Sequence, residues 1–392
     1  MQYHLIVKFG EKLVPLDTAT LRELTIVQDL NKFLPEFRLK VMDNSGALTH
    51  VLPFDKGMSK VYVELGSSPS ADYKNSFNFA VFDRRPIGDQ SNPSTLYDVT
   101  GLLDVPGMFS PKYCRAHSTS IKTTLEGLAL GELGLQKAEV SESLNYVKSI
   151  LQPQWNDIQF FKWLKENLIG KSEEYGYRCF VKCEDRKSTF VFKSLLEMIN
   201  QPLNNKFIVA PEGAEDQLPI FHYAIFDYYK LHEVFASKKQ DYSYFDYDTS
   251  EFIDAQEDVQ DYLSLSDYWL IDRDDDENSN SIQDLGRSND FTANFKGRVR
   301  SSFANRQMNL VKMWITTIGL SNMTPGKVVQ VFFPHGADAG NLYSYQYSGY
   351  WLVERVVHNI GDTFMTKLLL TRNGLDTDKE TTLLKSTNKR GV

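Results

Sequence analysis

The chain has 392 residues, room for two or three domains at ~100–200 residues each. At 42% hydrophobic and 13% aromatic content it can bury substantial cores, which excludes a disordered chain. Its formal charge is -8, but residues 241–290 hold 16 acidic and 2 basic side chains, a local -14 that leaves +6 elsewhere; an acidic whole argues against a dedicated duplex-DNA binder, which needs a basic stripe to displace counterions.

Three cysteines, Cys114, Cys179 and Cys183, are too few and odd in number for a disulfide framework. Cys179 and Cys183 lie four apart in a strand-like run and so share a face, as buried thiols rather than a metal pair. The first ten residues lack a basic region, a long apolar core and a cleavage site, so no signal peptide is expected. No run approaches the ~18 apolar residues of a membrane span. The expectation is a protein made and assembled in a cytoplasm, with no membrane anchor.

Residues 1–115 read as β-rich. Runs at Leu5–Phe9, Phe37–Val41, Lys60–Leu65, Phe77–Asp83 and Tyr97–Leu103, with a turn at Asp43–Gly46, suggest a barrel or sandwich. A helix is expected around Thr18–Lys32, on a weak apolar pattern.

From residue 116 the pattern changes. Ser118–Leu130 sets Ile121, Leu125 and Leu128 on one helical face. Asn156 is an N-cap with Gln159 as its capping-box partner. Phe160, Phe161, Leu164 and Leu168 form the apolar face of the helix that follows, and Gly170 its stop. Tyr177–Cys183 and Ser188–Phe192 alternate as strands joined by Glu184–Lys187. This is a helix packed on a hairpin.

Phe207–Glu233 is again β-rich, centred on Phe221–Tyr228. Residues 235–300 are acidic, with a loop expected at Asp272–Ser281. Asn309–Ile318, Lys327–Phe333 and Tyr350–Ile360 then alternate as strands, separated by Thr324-Pro325-Gly326 and by a long loop from His335 to Ser348. Gly361-Asp362 leads into Thr363–Arg372, a two-residue hairpin signal. Trp351 is expected to face inward with Val353 and Val357, and residues 377–392 read as a polar tail.

Two blocks resemble the phage baseplate hub family, whose fold also forms the N-terminal hub part of type VI secretion spike proteins. One is Gln152-Pro153-Gln154-Trp155-Asn156-Asp157-Ile158-Gln159-Phe160-Phe161, followed by Gly176–Val181 and Ser188–Phe192. The other is Thr324-Pro325-Gly326, then Val329–Pro334, Gly349–His358 and Phe364–Arg372. The resemblance covers most of residues 1–376 and is strongest at 150–195 and 308–374; the N-terminal part matches in architecture more than in motif. It implies a mainly β fold with an α+β middle: two tail-tube-like antiparallel β-barrels plus an interleaved helix-and-hairpin domain. The implied division is 1–115 for the first barrel, 116–205 and 240–300 for the middle domain, 206–239 and 301–376 for the second barrel, and 377–392 for the tail.

The implied function is a structural baseplate hub of a contractile injection system or phage tail. It would be a homotrimer of three 45.0 kDa chains, 135 kDa in all, joining the hexameric tail tube to the central spike and touching other baseplate proteins. Genomic DNA would pass through its lumen during ejection without specific binding, past a neutral to acidic wall. The location would be the virion tail, after assembly in the host cytoplasm. Secretion spikes continue into a needle, so a spike on a separate chain is expected here. Two alternatives stay open: the tail-tip protein of a non-contractile phage and, from another class, a carbohydrate-binding or carbohydrate-active β-protein.

No catalytic, cofactor or metal site is expected. Asp272–Asn278 briefly suggests a calcium loop, but the sixth and twelfth positions hold Glu277 and Gln283 where Gly and Glu are needed. The glycines at 127, 131 and 134 follow no strand, as a phosphate loop requires. His358 alternates with strand residues and reads as a wall side chain. Paired carboxylates near residue 250 are too many for spacing to single out a glycosidase pair, and no Gly-x-Ser-x-Gly elbow is present. The aromatic run Tyr223–Tyr247 suits a sugar surface but equally a β-core and subunit interface.

Overall fold

The computed structural model describes residues 3–9, 14–15, 21–44, 59–68, 73–87, 95–109, 111–171, 173–209, 216–227, 239–246, 251–258, 282–283, 291–333 and 347–374. The calcium-like run at 272–278, most of the loop at 335–348 and the tail at 377–392 lie outside them.

Seven strands open the chain: β1 (His4–Phe9), β2 (Val14–Pro15), β3 (Leu21–Asp29), β4 (Glu36–Asp43), β5 (Lys60–Gly66), β6 (Lys74–Ile87) and β7 (Thr95–Leu103). β4, β5 and β6 send alternate apolar side chains inward: Leu39 and Val41 from β4, Val61 and Val63 from β5, Phe77 and Phe79 from β6. Gly101 in β7 leaves room for the Phe37 ring, since a Cβ there would lie 2.6 Å from it and 2.1 Å from the Ala80 carbonyl.

The helix expected at Thr18–Lys32 is a strand instead. Leu24 and Ile26 are buried while Thr25 and Val27 are half-exposed, a period of two. The β-branched run Thr25-Ile26-Val27 also favours a pleated chain. This strand, β3, joins the two halves of the molecule.

The middle contains β8 (Tyr113–His117), α1 (Ile121–Gly127), β9 (Lys137–Val140), β10 (Ile150–Trp155), α2 (Asp157–Asn167), β11 (Tyr177–Glu184), β12 (Lys187–Ser194) and α3 (Leu195–Ile199). α1 is capped by Ser120 and runs into a wider π turn at Leu128–Glu132. α2 carries the expected capping box between Asn156 and Gln159, and buries Phe160, Phe161 and Leu164. Gly170 is not its stop: the helix ends at Asn167, with Leu168 extended. Gly170 serves close approach, for a Cβ there would sit 2.5 Å from both Ser143 Oγ and Tyr177 Oη.

The β11–β12 hairpin divides two cores. Tyr177, Cys179, Val181, Cys183, Phe190 and Phe192 face the large core shared with β3–β7 and α2. Phe180 and Val191 face a second core with α3 and the later helix. Both thiols are buried and free, as expected, and burial pushes their pKa values up. Side chains replace strand neighbours at the edge of β11: Gln28 accepts from the Cys183 amide at 2.9 Å, and Asn75 donates to its carbonyl at 2.7 Å.

The remaining elements are β13 (Leu203–Ile208), β14 (Leu218–Asp227), β15 (Lys239–Asp246), β16 (Glu251–Asp258), β17 (Ile282–Gln283), α4 (Phe291–Gln307), β18 (Val311–Ile318), β19 (Val328–Phe332), β20 (Gly349–Ile360) and β21 (Phe364–Arg372). Strands β15–β17 form a small separate sheet. Six strands close a barrel in the order β19-β13-β14-β18-β21-β20, with β19 pairing back onto β20. Its interior holds Phe207, Met313, Ile315, Val331, Trp351, Val353 and Leu370.

Of the two barrels expected, this is the one that closes. β20 also pairs with β3, and through it the seven N-terminal strands extend the same sheet in the order β3-β4-β7-β6-β5-β1-β2, with no closing pair among the described residues.

Two local expectations change. A bulge between Val353 and Arg355 reverses the alternation of β20, so Val356 is buried and Val357 faces out, while Trp351 and Val353 point inward. The β20–β21 loop spans three residues rather than two, since Ile360 pairs with Phe364. The two-residue turn with both residues at positive φ occurs at Asp185-Arg186 (φ 51° and 62°), between the paired Glu184 and Lys187.

Candidate functional site: the open face of the long sheet

Eight consecutive strands, β14-β18-β21-β20-β3-β4-β7-β6, share one uninterrupted sheet. Their registers line up rows of side chains on the face away from the cores. One row runs His222, Thr316, Lys367, Val357, Val27, Glu36. The next runs Met365, Asn359, Thr25, Arg38, Thr100, Asp83. A third sets Trp314, Leu369, Arg355 and Asp29 side by side. The bulge in β20 keeps Arg355 and Val357 on this face.

The charges on the wall come in pairs. Lys40 lies 2.7 Å from Glu23, Arg85 2.7 Å from Asp83, and Arg355 2.6 Å from Asp29. Arg38 grips Asp98 through two nitrogens, its Nε at 2.9 Å, and this hydrogen-bonded guanidinium holds the Asp98 carboxyl below its usual range. Lys367 has no ion-pair partner among the described residues. A shallow groove of about 620 Å³ crosses the wall, lined by Glu23, His222, Trp314, Val357 and Lys367 among others.

Behind the β3–β20 seam the polar groups are buried. Glu354, in the bulge, accepts from Asn31 at 2.9 Å and pairs with Lys312 at 2.8 Å. The Asp29 carboxylate also takes the Asn31 amide at 2.8 Å. Arg178 of β11 donates to Asn305 of α4. Burial pulls its pKa down to about 10, against the opposing fields of Glu354 and Asp29. This node ties β3, β20, β11 and α4 at one point.

His358 is fully buried on β20, 3.4 Å from Thr366 Oγ1. Burial alone pulls its pKa down to about 4, so the ring is neutral. It is the wall side chain expected, not a ligand. The glycines at 127, 131 and 134 lie at the π turn after α1, with no strand leading in. Among the described residues no group of three His, Cys, Asp or Glu side chains could hold a metal, and no helix is long and apolar enough to cross a membrane. Tyr223 is half-exposed on β14, but the side chains at 239–246 lie outside the description, so the aromatic run to Tyr247 is described only at its start. The continuous wall depends on the pairing of β20 with β3, a strand in place of the helix expected at Thr18–Lys32.

No family model and no curated protein matches the chain. Among solved structures, the 43 kDa tail protein of prophage MuSo2 from Shewanella oneidensis aligns with 96% of this chain and 100% of its own, at a TM-score of 0.59 and 10% identity. The tail protein from Neisseria meningitidis MC58 aligns with 96% of this chain and 98% of its own, at a TM-score of 0.59 and 12% identity. The chain thus has the fold of these two tail proteins along nearly its whole length.

Proposed function

We propose that the chain is the baseplate hub of a phage tail, a trimeric adaptor between a hexameric tail tube and a central spike. The observation that carries this reading is the open, charge-paired wall of eight strands, in a fold shared end to end with two tail proteins. A wall of this kind suits a channel. Arg38, Lys40, Arg85 and Arg355 are matched by carboxylates and, among the described residues, only Lys367 is not, so the wall offers phosphates no basic stripe to bind, and DNA would pass without being held.

In this reading residues 1–115 form one tube-like unit, and 206–239 with 301–376 form the other. Residues 116–205 with 240–300 are the interleaved middle, and 377–392 a polar tail. Three chains then present six tube-like units to a sixfold tube while keeping threefold symmetry for the spike. Such a ring uses head-to-tail contacts that must close. The chain would act in the virion tail after assembly in the host cytoplasm.

The test is mass photometry of the chain alone and with its co-encoded spike. A species near 135 kDa, three copies of the 45.0 kDa chain, is expected at least when the spike is present. A stable dimer under both conditions would overturn the reading, because a twofold object cannot serve both partners.

A further inference from the structure

Lys312 of β18 and Asn31, just beyond β3, meet on one carboxylate. Lys312 Nζ lies 3.0 Å from Oε1 of Glu354 and 2.8 Å from Oε2, and Asn31 Nδ2 lies 2.9 Å from the same Oε1. One oxygen thus touches a lysine nitrogen and an amide nitrogen at once, which sets the two side chains next to each other. Glu354 is 6% exposed and sits in the bulge of β20. The lysine stem reaches it across β21, since the strand order here is β18-β21-β20-β3.

The turn that carries Asn31 is fixed on the same strand as Glu354. The Leu30 amide donates to the Glu354 carbonyl at 2.9 Å, and the Asn31 amide donates to Oδ1 of Asp29 at 2.8 Å. Oδ2 of Asp29 is held in turn by Arg355 at 2.6 Å. Groups held in contact by their own backbones need no encounter, which removes much of the entropic barrier to a reaction between them. A lysine is a weak nucleophile while protonated and needs a neighbouring base to take its proton. Glu354 is within hydrogen-bond reach of that proton and of the amide nitrogen that would leave.

We propose that Lys312 and Asn31 join in an isopeptide bond, with Glu354 as the proton carrier. Glu354 takes a proton from the Lys312 ammonium. The freed Nζ lone pair then forms a bond to Asn31 Cγ. Glu354 passes protons on from Nζ to Nδ2, the Cγ–Nδ2 bond breaks, and ammonium leaves. The positive charge that enters on lysine departs on ammonium, Glu354 ends as a carboxylate, and nothing is oxidised or reduced. Asn31 is exposed, so the ammonium has a way out to solvent. The bond clamps β3, and with it the N-terminal strands, onto the barrel across the seam. It closes the long span between residues 31 and 312, and long closed spans restrict the unfolded chain most. The proposal depends neither on the ring nor on the channel.

The test is intact-mass spectrometry of the full chain, repeated until the mass is constant. Wild type is expected lighter than its sequence by one ammonia. Tryptic digestion should give a branched peptide that joins Glu23–Lys32 to Gln307–Lys327 through Asn31 and Lys312. K312R keeps the charge without a competent nucleophile and should show neither sign. E354Q keeps a hydrogen-bonding side chain but loses the base, and should form the bond slower by roughly 10²-fold or more. Thermal melts check that both variants fold, and the wild-type result decides the bond even if one does not. A wild-type chain at full mass with two separate peptides would overturn the bond, as would an ammonia loss that maps to any other residue. A branched peptide that forms in E354Q at the wild-type rate would overturn the role of Glu354.

Discussion

At the residue scale, two buried side chains on β20 carry measurable consequences. Trp351 is fully buried in the barrel, donates its indole N–H to the Tyr347 carbonyl at 3.1 Å and lies under the Arg372 guanidinium. Trp351→Ala should cost ~3–5 kcal/mol through the cavity it leaves; a melt within a degree of wild type would contradict this placement. His358 behaves differently because it titrates. Its folded pKa of about 4 lies below the ~6.5 of an unfolded chain. The unfolded state therefore binds more protons between these values, so stability is full above pH 6.5 and is lost as pH falls toward 4. The loss approaches roughly 3 kcal/mol once both states are protonated. Denaturant melts of wild type and His358→Gln at pH 7.5 and pH 4.5 check it: the variant should lose less on acidification. Glu139 adds a lower step. Burial alone would raise its pKa, but Lys182, Lys137 and Lys193 outweigh that and hold it at about 2. Its contribution, present above pH ~4.3, fades as pH falls toward 2.

At the element scale, what could be read from the chain depended on how local the signal was. The capping box of α2 is a contact between residues three apart, so Asn156 and Gln159 announced it. The alternation of β18, β19 and β21 was equally legible. β3 was missed because only Leu24 and Ile26 alternate cleanly with half-exposed neighbours, while Leu30 beyond the strand joins a different core. Bulges are set by the partner strand, so nothing in Val353-Glu354-Arg355-Val356-Val357 marked where the alternation would reverse. The wall could not be read either, since it depends on pairing β20 with β3, over 300 residues apart. Turn chemistry misled in a useful way. Gly361-Asp362 has the composition of a tight primed turn yet sits in a three-residue loop, whereas Asp185-Arg186 has the geometry without the glycine. Arg186 bears the cost of a left-handed backbone. Arg186→Gly should relieve it and raise stability by roughly 0.5–1 kcal/mol. A chemical-denaturation midpoint that falls instead would show that contacts of the arginine outweigh its backbone strain.

At the scale of the whole molecule, one sheet serves both halves, and its charges decide what the wall can do. Pairing Arg38, Lys40, Arg85 and Arg355 with carboxylates leaves a surface that is polar enough to stay hydrated but has little net field. If DNA moves past it in a trimer, every uncompensated cation appears three times around the channel. Glu23 and Asp83 are the substitutions of choice, because both side chains are about half exposed and neither belongs to the buried node behind the seam. Glu23→Lys sets a second cation beside Lys40, and Asp83→Lys sets one beside Arg85. The fold should tolerate both, since exposed ion pairs contribute only ~0–1 kcal/mol. Passage of DNA should not. Each phosphate that a new cation neutralises steepens the log–log salt dependence of binding by about 0.9, so the doubly substituted particle should release DNA more slowly at low ionic strength and recover as salt is raised. Dye-reported ejection from assembled particles, followed across a salt series, measures this directly. Fully assembled variant particles that eject at the wild-type rate at low salt would mean that DNA does not run along this face, and the open wall would need another role.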